Sequence, residues 1–268
     1  MKIYEIINEE DLLSVGVLLY YEKEHTFLIE LSASLDEWTA PILFSRYVRE
    51  GIYSIPRDIS RLWVMARVVP SDRQNIDAIL RNHKLGSYDE MKILEIAEGR
   101  CSQDSLAIRR LSELPDYVTE RMKKNVVECF ITEDEALLIF FADETIRKVK
   151  RSELSKFDSI EGMDAVLTND SLYRSCKIGT GGYFVTFNDS IDLPATGLYA
   201  TGEQIPLRRS DFVSFVKRNT LDTSESCSLL GCSRQNIAYM VKQNQLTPLR
   251  EDVKGTLYSK GDVIKNTW

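Results

Sequence analysis

The stretch LLGCSRQNIAYMVKQNQL, Leu229–Leu246, predicts two short helices joined by a sharp turn. Gly231 is predicted to end the first helix, because glycine readily adopts the left-handed conformation found after helix C-termini. Ser233 is predicted to begin the second, since a serine hydroxyl accepts a hydrogen bond from a free amide of the first turn. Asn244 is expected to end that helix, because asparagine tolerates the left-handed conformation.

The predicted helices have distinct inner and outer faces. A turn this short makes the two helices cross sharply, so the inner face needs small and aliphatic side chains. The inward residues are predicted to be Cys227, Leu230, Gly231, Ile237, Met240 and Val241. The outward residues of the second helix are predicted to be Ser233, Arg234, Gln235, Ala238, Tyr239 and Lys242. Asp222 or Thr223 is the expected cap of the first helix.

The flanking segments extend this pattern on both sides. SDFVSFVKRN, Ser210–Asn219, predicts a helix with a serine cap and a basic C-terminal end that suits the helix dipole. LTPLREDVKGTLYSK, residues 246–260, predicts two short strands around EDVKG, and GDVIKNTW predicts a closing helix. The predicted order is therefore helix, helix, turn, helix, hairpin and helix.

From about Leu221 to Trp268, this order resembles the winged helix-turn-helix of excisionase and MerR-like DNA-binding domains. The chain departs from that pattern at Cys227, where alanine is typical, and at Asn244, where glycine is usual. The resemblance implies binding to double-stranded DNA, with the second helix in the major groove. The implied DNA-binding residues are Ser233, Arg234, Gln235, Asn236, Tyr239, Lys242, Arg250 and Lys254.

The first turn of the second helix is expected to read base edges. Ser233 can hydrogen-bond a phosphate, helped by the dipole of the helix N-terminus. Arginine pairs with guanine and glutamine with adenine through two hydrogen bonds, so Arg234 and Gln235 are expected to read bases. Tyr239, about one turn further on, can contact a base methyl group or a phosphate. The residues expected to contact only the DNA backbone are Lys242, Arg250 and Lys254.

Charge is distributed unevenly along the chain. The 268 residues carry a net charge of −7. From Arg208 to Trp268 the sequence has ten basic and six acidic residues, which gives +4, and the rest of the chain carries −11. The positive part coincides with the predicted DNA-binding domain, 208–268, and favours binding to phosphates. The acidic remainder is a candidate surface for a protein partner.

Residues 124–205 are predicted to form a small β-rich domain. NVVECFIT, ALLIFFAD and TIRKVK are short β-prone runs separated by polar turns, which predicts an antiparallel meander, and SCKI and GYFVTFND predict further strands around GTGG. The region resembles a short bacterial domain family of unknown function, although Glu144 stands where the family commonly has glycine. The residues that carry this resemblance are Phe141–Asp143, Leu154, Leu172, Gly181–Phe187, Asp192, Leu193, Leu198 and Tyr199. The resemblance implies a fold and no activity.

Residues 1–123 are predicted to combine a hairpin with a mostly helical region. VGVLLYY and TFLIELS flank the charged turn EKEH, which indicates the hairpin. Ser71–Gln74 and Ser87–Glu90 are interpreted as helix starts, and SLAIRRLSELPDYVTERMKK is expected to continue the helical pattern with one proline interruption. Trp38 and Trp63 are expected to be large anchors of the core. The region is interpreted as a sensor, a dimerisation module or a surface for a partner protein.

Several functional classes lack their signatures in this sequence. It contains no G-x-S-x-G, P-loop or H-E-x-x-H pattern, so no enzymatic activity is expected. The five cysteines and two histidines lack zinc-binding spacing, so we expect reduced, packed thiols and neither metal nor cofactor. No apolar run approaches the ~18 residues of a membrane helix. The acidic start lacks the plan of a signal peptide, which predicts a cytoplasmic protein.

Together these patterns predict an α+β bacterial protein with a C-terminal winged helix-turn-helix. The favoured function is transcriptional regulation through DNA binding by a homodimer. The main alternative is an antitoxin-like protein-interaction module that uses the helix-turn-helix to autoregulate its operon. A third alternative is an enzyme with an unrecognised site in the N-terminal part.

Overall fold

The computed structural model describes residues 1–206, 209–250 and 257–268. The chain divides into two compact units, Met1–Thr119 and Glu120–Trp268, each with helices and antiparallel strands. The mixed α+β class predicted from the sequence is therefore confirmed. Within the described ranges, no helix combines the length and the apolar character that crossing a membrane requires.

The N-terminal unit is built on a five-stranded antiparallel sheet with the order β4-β3-β2-β1-β5. Its strands are β1 (Lys2–Asn8), β2 (Ser14–Tyr21), β3 (Thr26–Leu31), β4 (Ser54–Ile55) and β5 (Leu106–Leu111). The predicted hairpin is confirmed, since β2 and β3 pair across the turn at residues 22–25. Strands β1 and β5 lie next to each other although about a hundred residues separate them in the sequence.

Four helices of this unit follow the hairpin in sequence. They are α1 (Ile42–Arg49), α2 (Arg57–Met65), α3 (Ile76–Asn82) and α4 (Glu90–Ile96). Residues of α1, α2 and α4 pack with one face of the sheet in a single apolar core. Trp63 is 2% exposed and anchors this core as predicted, but Trp38 is 86% exposed, so its predicted core role is wrong. Trp38 lies in the turn before α1, where Asp36 accepts hydrogen bonds from the following amides.

Two further predictions for this unit are wrong, whereas the helix start predicted at Ser87–Glu90 is confirmed, since α4 begins at Glu90. Residues 106–111 form β5 and not a helix, and the helix α5 (Asp116–Met122) begins only after Pro115. The predicted cap at Ser71 is not used, since α3 begins at Ile76 without a side-chain cap. In α4 the cap is Asp89, whose carboxylate accepts a hydrogen bond from the amide of Lys92.

The C-terminal unit begins with the predicted meander. Strands β6 (Val126–Ile131), β7 (Leu137–Phe141) and β8 (Ile146–Val149) pair in sequence order, and β12 (Glu203–Gln204) adds to β8. A second sheet contains β9 (Lys177–Ile178), β10 (Phe184–Phe187) and β11 (Ile191–Pro194). The predicted strands are thus present, but they form two small sheets. Two 3-10 helices and three α-helices complete this part: Arg151–Phe157, Thr180–Gly182, α6 (Met163–Thr168), α7 (Asp170–Arg174) and α8 (Ala195–Thr201).

The last part of the unit has helices on either side of a small sheet. Its helices are α9 (Arg209–Asn219), α10 (Thr223–Leu230), α11 (Arg234–Lys242) and α12 (Lys260–Lys265). Its strands are β13 (Thr220–Leu221), β14 (Pro248–Arg250) and β15 (Leu257–Ser259), in the antiparallel order β13-β15-β14. Two strands therefore follow α11 as predicted, whereas the connection EDVKG lies outside the described residues.

This last part packs directly on the β-rich part of the same unit. Phe215 of α9 lies against the rings of Phe130 and Phe140, with centroid distances of 5.7 and 5.1 Å. The backbone amide of Gly261 donates a 2.6 Å hydrogen bond to Glu128 Oε2. The predicted regions 124–205 and 208–268 therefore share one compact unit.

Candidate nucleic-acid interface

The helix pair, α10 and α11, has defined ends because its capping residues suit each position. Asp222 and Glu225 form a capping box at the start of α10, with two reciprocal hydrogen bonds of 2.8 Å. Gly231 ends α10 with φ +62°, a left-handed conformation that glycine adopts without strain. Ser233 caps α11 by accepting a hydrogen bond from the Asn236 amide at 3.3 Å. The backbone after α11 turns at Asn244, with φ +56°, as predicted.

A small apolar core holds the helix pair to the strands and to α12. Its buried members are Ile237, Leu246, Tyr258 and Val263. The partly buried residues packed around them are Leu221, Cys227, Leu230, Cys232, Met240 and Val241. The predicted inward positions are thus confirmed for Cys227, Leu230, Ile237, Met240 and Val241, whereas Gly231 is exposed. Gly231 acts at the corner through its backbone conformation, since the space next to its α-carbon is open.

Apart from Ala238, the exposed residues of α11 carry polar groups. Its exposed side chains include all the residues of the helix and its cap that the sequence marked for DNA: Ser233, Arg234, Gln235, Asn236, Tyr239 and Lys242. No acidic residue occurs in α11, whose sequence is RQNIAYMVK. The structure therefore brings these six candidates together on one helix.

The two other candidate residues belong to the hairpin. Arg250 is the last residue of β14, which pairs with β15, and its side chain is not among those described. Lys254 lies outside the described residues. The structure thus gives a backbone position for Arg250 and leaves the role of Lys254 as a prediction from the sequence.

Ser224 is a residue of this surface that the sequence did not indicate. It lies in the first turn of α10, and its hydroxyl accepts a 3.0 Å hydrogen bond from Arg234 Nη2. The two residues are ten positions apart and belong to different helices, so no periodic pattern pairs them. Only the crossing of the two helices brings them together.

Three of the residues that carry the resemblance of the β-rich part, Phe141, Asp143 and Tyr199, are in contact through the Tyr199 side chain. Tyr199 donates a 2.8 Å hydrogen bond to Asp143 Oδ2, its ring meets Phe141 edge-on, and the Arg147 guanidinium lies 3.9 Å from its centroid. Burial raises the pKa of Asp143, but hydrogen bonds from Thr145 and Tyr199 outweigh it, so that the pKa lies below its usual range. These contacts tie α8 to the β7–β8 turn and need no ligand.

Among the residues that the structure describes, no group of three or more His, Cys, Asp or Glu side chains is arranged to hold a metal ion. All five cysteines are free thiols. Cys129 is buried, and the other four are partly buried.

No family model, no curated protein and no solved structure matches this chain. Functional inference therefore depends on the geometry and charge of the exposed surface of α11.

Proposed function

We propose that this protein is a DNA-binding transcriptional regulator that reads double-stranded DNA with α11. The observation that carries the proposal is the exposed face of α11, a capped helix on which most exposed side chains can hydrogen-bond and none is acidic. An α-helix fits the major groove of B-DNA, and amide and hydroxyl groups can pair there with base edges.

The arrangement around α11 supports the same proposal. A first helix crosses the DNA backbone in helix-turn-helix proteins while the second enters the groove, and α10 stands in the first position here. The strands β14 and β15 follow α11 in the place of a wing. The net charge of +4 from residue 208 onwards favours contact with phosphates, although the whole chain is acidic.

We further propose that the protein acts as a homodimer. One helix contributes few base contacts, so helix-turn-helix proteins commonly read two half-sites about one helical turn apart. Sedimentation of the full chain at high micromolar concentration measures this directly. A dimer is the expected result, and a monomer at every concentration would contradict it.

The proposal is tested by binding to a randomised duplex pool at several salt concentrations. If Lys242, Arg250 and Lys254 each contact a phosphate, the logarithm of the binding constant should fall with that of the salt concentration with a slope of about −3 per protomer. Lys242→Ala and Lys254→Ala should each reduce the slope by about one, whereas Lys156→Ala, which removes the same charge from the β-rich part, should leave it unchanged. Wild-type protein that binds no duplex in a salt-dependent way would refute the proposal.

A second candidate function is an antitoxin-like interaction protein, and two side chains of the N-terminal unit favour it. Trp38 is 86% and Ile42 95% exposed, and they lie four positions apart in the sequence; clusters of exposed large apolar side chains commonly mark a protein contact. A stoichiometric partner that co-purifies from the native cell should be lost in the double variant Trp38→Ala, Ile42→Ala. It should be retained in Leu12→Ala, a variant that removes another exposed apolar side chain.

A further inference from the structure

Arg234 is held against the preceding helix by a specific contact. It is the first residue of α11, and its Nη2 donates to Ser224 Oγ at 3.0 Å. Ser224 is the second residue of α10 and is itself exposed. The guanidinium therefore extends from the start of one helix to the start of the other.

The position of Arg234 on α11 differs from that of the other polar residues. Successive residues of an α-helix are about 100° apart around its axis. Ile237 marks the buried direction, so Gln235 and Tyr239 each point about 160° away from the core and Arg234 only about 60°. Arg234 thus lies on the flank of α11, whereas Gln235 and Tyr239 share the face opposite the core.

Gln235 and Tyr239 also differ from Arg234 in their contacts. Within the described part of the chain, the side chains of both make no hydrogen bond, and Tyr239 is 57% exposed. Their polar groups remain available to base edges. One of the Arg234 donors, in contrast, is already used by Ser224.

We infer that Ser224 is a positioning residue that directs Arg234 to a DNA phosphate, and that Gln235 and Tyr239 read the bases. This inference rests on the proposed function. The first helix of a helix-turn-helix crosses the DNA backbone, so a guanidinium bound to α10 is carried to the backbone and away from the groove floor. The donors that Ser224 leaves free suit the oxygens of a phosphate.

The neighbouring acidic residues are compatible with such a contact. Asp222 and Glu225 lie beside Ser224 in sequence, and each carboxylate accepts a hydrogen bond from a backbone amide in the capping box. Their charge is thereby partly compensated by the dipole at the start of α10. The role inferred for Arg234 departs from the guanine contact that the sequence suggested.

The same duplex pool distinguishes the two roles by separating base preference from salt dependence. Arg234→Ala should weaken binding to every sequence by about tenfold or less and lower the salt slope by about one, with the preferred sequence unchanged. Gln235→Ala should retain the slope and relax the preference at one position by about 5- to 150-fold. Loss of preference at a single base pair in Arg234→Ala would overturn the inference.

A double-mutant cycle tests the part played by Ser224. Ser224→Ala should weaken binding in the wild-type background and have no further effect in Arg234→Ala, because its action passes through the guanidinium. Ser224→Thr, which keeps the hydroxyl, should restore binding. Ser228→Ala removes an exposed hydroxyl one turn further along α10 and should leave binding unchanged.

The outcomes are distinct from a failure of the proposed function. Additive effects of Ser224→Ala and Arg234→Ala, in variants with an unchanged unfolding temperature, would overturn the positioning role while the wild type still binds DNA. A wild type that shows no salt-dependent duplex binding would overturn the proposed function, and this inference with it.

Discussion

The two apolar cores of the C-terminal unit differ greatly in size. Among the described residues, the β-rich part buries seventeen side chains in one cluster and the part around the helix pair buries four. So small a core supplies little of the stability that a folded domain needs. We therefore expect the surface proposed to bind DNA to depend on the contacts of the smaller part with the larger core.

The two ends of the smaller part make these contacts. Phe215 of α9 packs on β6 and β7 through Phe130 and Phe140. At the other end, Ile264 and Trp268 pack against the large core. In sequence the helix pair thus lies between two elements, α9 and α12, that both contact the β-rich part.

The largest effect is expected from a cavity in the larger core. Phe187 of β10 is fully buried, so Phe187→Ala should lower the free energy of unfolding by about 3–5 kcal/mol. Hydrogen exchange should then accelerate in α11 as well as in β10, because the smaller part has little stability of its own. Ile237→Ala, a cavity in the small core, should accelerate exchange in α11 and leave β10 protected. If α11 remained protected in Phe187→Ala, the smaller part would be stable without the larger core, contrary to this expectation.

A smaller effect is expected from disturbing only the contact between α12 and β6. A β-carbon at Gly261 would lie 2.1 Å from the carbonyl oxygen of Val127, so α12 must shift in Gly261→Ala. Such overpacking costs about 1–3 kcal/mol, measured by urea unfolding. Gly86→Ala is the matched control, because no atom lies within 4 Å of the added carbon there. An unchanged stability of Gly261→Ala would show that α12 does not pack closely on β6.

The smallest effect is expected in the contact between α8 and the β7–β8 turn. Tyr199→Phe removes a hydrogen bond that helps to keep the pKa of Asp143 below its usual 3.8. A lowered pKa in the folded state stabilises above the unfolded pKa, and this contribution is lost as the pH falls through the folded value. The difference from wild type should therefore be below about 1 kcal/mol at neutral pH, since the carboxylate is partly exposed, and should shrink below pH 3.8.

Tyr173→Phe provides the control for this pH dependence. The Tyr173 hydroxyl donates a 2.8 Å hydrogen bond to the backbone carbonyl of Glu135, which does not titrate. Its effect on urea unfolding should be the same at neutral and at acidic pH. Equal pH profiles for the two variants would contradict the role given to Asp143.

The predictions from sequence were most successful where neighbouring residues determine the structure. The hairpin of β2 and β3 needs only two apolar runs and the four turn residues between them. The inward residues of the helix pair follow from helical periodicity, and Gly231 and Asn244 both adopt the predicted left-handed conformation. These features depend on residues less than about twenty positions apart.

The predictions failed where distant residues decide the outcome. LAIRRL in β5 resembles a helical run, but its strand conformation depends on pairing with β1, about a hundred residues earlier. Trp38 was expected in the core because of its size, whereas the turn at Asp36 holds it at the surface. The Ser224 contact to Arg234 depends in the same way on how two helices cross.

The place of β1 in the N-terminal sheet has a consequence for synthesis of the chain. Strand β1 is translated before the other strands of its sheet, yet one of its two neighbours, β5, ends at Leu111. Until that residue has emerged, the backbone groups on one side of β1 have no strand to pair with, and such an open edge can pair with other chains. The nascent chain therefore carries an aggregation-prone edge from the translation of β1 until that of β5, about a hundred residues later, and completion of β5 removes it.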